Sequence, residues 1–62
     1  MFTNQQKRQL RNNKIKWEWD PDGSIEFRYG VGVMSLMPHE VITKIHQMGW
    51  ESFIVWLRTE LN

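Results

Sequence analysis

The 62-residue chain has no cysteine and no alanine, and only two prolines. Without cysteine, disulfides and thiolate-held metals are excluded as staples. No apolar run approaches the roughly 20 residues of a membrane-spanning helix, so no membrane partner is expected. Residues 1–13 lack the apolar stretch of a secretory leader, and the expected compartment is the cytoplasm. Charge of one sign is also missing overall: eight Lys and Arg against seven Asp and Glu leave a net +1. So short a chain is expected to carry no cofactor fold. It hides only about 60% of the surface that its unfolded form exposes. Chains of this size need a staple, and here the devices left are large aromatics and self-association.

Aromatics are abundant: four Trp, three Phe and one Tyr. Their placement divides the chain into three zones. Residues 1–13 are polar apart from Phe2, Leu10 and the initial Met1. They read as a basic polar arm or a short helix. Residues 14–34 alternate. Ile15, Trp17 and Trp19 fall between Lys14, Lys16, Glu18 and Asp20, and then Ile25, Phe27, Tyr29, Val31 and Val33 continue the pattern. Period two marks strands with one dry face. Between the two runs, Asp20-Pro21-Asp22-Gly23-Ser24 has the chemistry of a three-residue hairpin loop with a bulge. That loop pairs Trp19 with Ile25, Trp17 with Phe27, Lys16 with Arg28 and Ile15 with Tyr29. The like-charged pairs Glu18–Glu26 and Lys16–Arg28 would then be relieved by their diagonals.

The period changes after residue 35. Pro38 suits a first helical position and Glu40 a first turn. Val41, Ile42, Ile45 and Met48 then recur at helical spacing, and Gly49 ends the helix. A second helix, Trp50 to Leu61, places Trp50, Phe53, Ile54, Leu57 and Leu61 on one stripe and leaves Val55 and Trp56 off it. Ser52–Leu57 is rich in strand formers, but the stripe continues to Leu61 and favours helix. The expected fold is a small single α+β domain. A polar arm (1–13) precedes a ββαα unit (14–62), a hairpin packed on two antiparallel helices.

Catalytic sets are missing. Ser24, Ser35 and Ser52 lie in a turn, before a helix and in a first turn, without motifs. Gly30-Val31-Gly32 resembles part of a phosphate loop but lacks its third Gly and its Lys-Ser/Thr ending. It reads better as glycines that admit a close neighbour or relieve a bend. His39 and His46 do not have the spacing of a two-histidine zinc helix, and Asp20 and Asp22 are explained by turn chemistry. The expectation is a non-enzyme, with no metal, no cofactor and no small-molecule substrate.

Two features bear on function. One is surplus apolar surface. Val55 and Trp56 would stay partly outside the core, and the segment Gly30, Gly32, Met34 would leave a strand edge open. These five residues form the expected docking surface of an inhibitor, adaptor or regulator, homodimerisation included. The other is a charge division. Residues 1–16 hold Lys7, Arg8, Arg11, Lys14 and Lys16 and no acid, whereas residues 17–62 hold three bases and seven acids. A cationic segment on an acidic body suits phosphate contacts, so nucleic acid is the alternative partner. The second helix is too apolar to enter a DNA groove, which excludes helix-turn-helix recognition.

Overall fold

Thr3 starts the first helix. Its hydroxyl accepts from Gln6 N–H at 3.0 Å, and Gln6 Oε1 accepts from Thr3 N–H at 3.0 Å. This reciprocal box satisfies two amides that would otherwise point into solvent unpaired. In the computed structural model, which describes residues 1–62, helix α1 follows over Asn4–Asn12. The polar first zone is therefore helical, and it is not a separate arm. Phe2 and Leu10 lie in the same core as the rest of the chain, 7% and 0% exposed. Thr3-x-x-Gln6 is the sequence signal for this start.

The end of α1 is as well defined. Lys14 N–H donates to the Arg11 carbonyl and Ile15 N–H to the Leu10 carbonyl, both at 2.9 Å. Lys14 sits between them with φ +61. These are the two bonds of a Schellman cap, closed by apolar partners at its ends. Ile15 and Leu10 supply them, both buried. The cap turns the chain into strand β1, Lys16–Trp19.

Strand β2 spans Ile25–Tyr29, and it pairs with β1 in the expected register from Lys16–Arg28 to Trp19–Ile25. The loop between them is held as its residues suggest. Gly23 N–H donates to the Asp20 carbonyl at 3.0 Å, and buried Ser24 donates its hydroxyl to Asp22 at 2.7 Å and Asp20 at 3.1 Å. The expected Ile15–Tyr29 pair is absent from the ladder, because Ile15 is committed to the helix cap.

The alternating run 25–34 is not one strand. It folds back at Gly30-Val31 into a third strand, β3, Gly32–Leu36. The sheet is antiparallel with order β1-β2-β3, and Phe27 pairs with Met34 and Ile25 with Leu36. Gly30 has φ +58, the sign that the first central residue of a type II′ hairpin turn requires. A two-residue loop reverses parity. Inward side chains are odd-numbered before it and even-numbered after it. Val31 and Val33, expected on the dry face, are instead 100% and 56% exposed.

Helix α2, Pro38–Met48, opens with Glu40 accepting from Met37 N–H at 3.0 Å, and α3, Trp50–Leu61, follows across Gly49. The helix reading of Ser52–Leu57 holds. Helix α3 lies against β2 and β3, and α2 packs on α3. Phe53, Ile54, Leu57 and Leu61 are buried, as the stripe predicts. Ile42 is a correction. Val41, Ile45 and Met48 form the contacting line at i, i+4, i+7, and Ile42, 100° away from Val41, remains exposed. The α+β class, the first hairpin and the two packed helices match the expectation; α1 and β3 extend it. No helix is long and apolar enough to cross a membrane.

Candidate functional site: a cationic groove between the first helix and the sheet

Lys7, Arg11 and Lys14 are spaced i, i+4, i+7 and share one face of α1 and its cap. The cap brings that face alongside β1. There the outward side chains are Lys16 and Glu18, and their pairing partners on β2 are Arg28 and Glu26. These seven charged residues, with Ile15 and Trp17, line an open groove of about 990 Å³. It holds five cations and two acids. Glu26 forms an ion pair with Arg28, its neighbour two residues along the same strand. That hydrogen bond first, and the Glu26 charge second, raise the Arg28 pKa above its ordinary value. On the Arg28 side the expected diagonal relief from Glu18 remains as a lesser effect of charge, and the direct contact is within β2.

Four of the five basic residues expected to contact phosphate converge here. Arg8 does not line the groove; it lies one step around the helix and is exposed. Arg28 joins them. The hairpin register had placed it opposite Lys16, yet charge counting by segment assigned it to the acidic body. Lys14 holds its place at a backbone cost. A non-glycine residue in the left-handed region is disfavoured by roughly 1–2 kcal/mol. Glycine is the usual occupant of this cap position, so a lysine there trades stability for a cation on the groove wall.

At its far end the groove meets Glu18, Asp20 and Glu26, whose carboxylate oxygens lie within 4.8 Å of one another. Two of these acids are already engaged. Glu26 binds Arg28, and Asp20 accepts from Ser24 at 3.1 Å and Ser35 at 3.3 Å. The trio gives the groove a direction, cationic beside α1 and acidic towards the hairpin loop.

The residues expected to form an apolar docking surface fall in the second hairpin turn, β3 and α3. Gly30 is in the hairpin turn. Gly32 is covered: a Cβ there would lie 1.8 Å from the Leu61 carbonyl oxygen. Met34 is half-buried and packs on the core. Trp56 is half-buried too. It stacks on Phe53 at a 6.0 Å centroid distance, and Lys44 Nζ sits 4.4 Å above its ring. Of the five, Gly30 and Val55 are exposed, Val55 at 62%. β3 pairs with β2 alone and so leaves one sheet edge without a strand partner. His39 and His46 are both exposed on α2. The chain matches no protein-family model, and neither a curated protein nor a solved structure is significantly similar to it.

Proposed function

We propose that this chain is a small non-enzymatic binding protein whose groove grips the phosphate backbone of nucleic acid. The observation that carries this reading is the convergence of Lys7, Arg11, Lys14, Lys16 and Arg28 on one concave surface. Cations spread over a solvated helix need no partner. Cations drawn together from a helix, a cap and two strands repel one another, and a polyanion relieves that repulsion by releasing its own counterions. Positioning on phosphate carries no sequence information, so the reading is of backbone contact. The apolar docking surface has less support, because Trp56 is taken up by its own chain.

The test is a titration of a short oligonucleotide at several salt concentrations. Four or five phosphate contacts give a slope of log K on log salt of about −3 to −4.5, at roughly −0.7 to −0.9 per contact. Neutralising Lys7, Arg11, Lys14 and Lys16 to Gln removes most of the binding, whereas Arg8→Gln, outside the groove, leaves most of it. Lys14→Gly separates function from folding. It is expected to stabilise the domain by up to about 1 kcal/mol, by relieving the left-handed backbone, while weakening binding. No binding at low salt, or an equal loss with Arg8→Gln, rejects the reading.

A further inference from the structure

We infer that the groove takes a single strand, with one of its bases stacked on the indole of Trp17. This rests on the nucleic-acid reading and specifies its ligand. Each of the four tryptophans has a different situation. Trp50 donates its indole N–H to Gln9 and packs against Phe2 and Phe53. Trp56 is stacked on Phe53 and covered by Lys44. Trp19 stands 51% exposed at the end of the edge strand, outside the groove. Trp17 alone lines the cationic groove.

Three details of Trp17 point to a stacked ligand. The groove's only other apolar lining residue, Ile15, is 2% exposed, so Trp17 is the one apolar residue there with surface left for a ligand. The indole is also braced on one side, where the buried Phe2 ring meets it edge-to-face at 4.9 Å and 83°. Its polar edge is free. No buried side-chain nitrogen or oxygen lacks a partner, so Trp17 Nε1, which makes no hydrogen bond within the chain, reaches solvent. Lys14 and Lys16 precede it by three residues and by one, yet the cations placed over rings are Lys44 on Trp56 and Arg58 on Tyr29. Trp17 is half-buried against the core, on the sheet face opposite Lys16 and Glu18, and its remaining surface borders the groove. Cations that track a backbone beside an aromatic that can stack a base are the means by which single strands are held. A duplex keeps its bases stacked inside and offers this ring nothing.

The experiment compares three ligands: a thymidine oligonucleotide of about twelve nucleotides, within the usual range of small single-strand sites, a duplex of equal length, and linear polyphosphate as a polyanion without bases. The oligonucleotide is expected to bind more tightly than the duplex. Trp17→Leu, with its fold checked by circular dichroism, should weaken the oligonucleotide by at least about fivefold, the lower end for one stacked base, and leave polyphosphate unaffected. Lys16→Gln should weaken both. A second measurement needs no variant: photo-crosslinking of an iodouracil-substituted oligonucleotide to the unaltered protein, mapped by mass spectrometry, should label Trp17. Equal loss of polyphosphate and oligonucleotide in Trp17→Leu, an unchanged oligonucleotide affinity, or a crosslink confined to Trp19 overturns the inference and leaves the groove reading standing. Failure of the unaltered protein to bind either polyanion overturns both.

Discussion

Helices α1 and α3 are attached to the same core by different means. Along α3, four side chains are buried in succession, from Phe53 to Leu61. Along α1 only Leu10 is, with Phe2 packing just ahead of the helix. The first helix makes up the difference with end devices, a reciprocal cap at Thr3 and a Schellman cap at Lys14, and with a side-chain bond that Gln9 accepts from Trp50. A helix held at its ends leaves its flanks for other purposes, and one flank of α1 is the cationic groove wall. A helix held along its length has few positions to spare. The molecule thus separates a part that supplies cohesion from a part that displays charge.

The largest expected effect comes from testing that separation in the core. Phe53→Ala should cost about 3–5 kcal/mol. Roughly 0.05–0.15 kcal/mol per residue is the usual total, so this change removes a third or more of the stability and should lower protection across the whole domain at once. Leu10→Ala should behave differently. A nine-residue helix is below the ~12–15 residues that persist alone. Once undocked, α1 should melt while the sheet survives. Native-state hydrogen exchange would then show faster exchange in Lys7–Asn13 and retained protection at Phe27 and Leu57. Uniform loss of protection would mean that the two helices are energetically one.

An intermediate effect is expected at Gly32. A methyl group there collides with the Leu61 carbonyl, so Gly32→Ala must push the last turn of α3 from the sheet, at about 1–3 kcal/mol. Denaturant melts would measure the cost, and chemical-shift changes should concentrate in Arg58–Asn62.

The smallest effect belongs to the first hairpin loop. Asp22 titrates below its ordinary value of 3.8, chiefly because the Ser24 hydroxyl donates to it and secondly because the Ser24 amide does. A depressed carboxyl pKa stabilises the fold above the unfolded-state value, and that contribution is lost as pH falls through the lower folded value. Ser24→Ala should therefore flatten the acid side of a stability–pH curve below about pH 4. An unaltered acid limb would show that the loop is held by its backbone bonds alone.

The two hairpins explain what could be read in advance. Asp20-Pro21-Asp22-Gly23 specifies its turn by residue type, so the β1–β2 register followed from sequence. Gly30-Val31-Gly32 hides its turn, because alternation of small and large residues continues across the reversal. The parity change is visible only when Met34 and Leu36 are seen facing inward. The groove was half legible. Lys7, Arg11, Lys14 and Lys16 stood out as a charge cluster, and the register already placed Arg28 beside Lys16. Their meeting with Trp17 depends on how α1 is capped and docked, which no local pattern encodes. Trp56 is half-buried, partly outside the core as its off-stripe position suggested, but its neighbours were not legible. Its place off the helical stripe says nothing of Phe53 one turn earlier or of Lys44 on the neighbouring helix.

The bond from Trp50 to Gln9 makes the docking of α1 optically visible. Trp50 begins α3, yet its indole nitrogen is bound to a side chain of α1 and its ring rests against Phe2. Separation of α1 from the body would strip both neighbours from this chromophore and change its share of the emission of the four tryptophans, so a chain with the other three replaced would carry its own fluorescent gauge of whether the charged wall is in position.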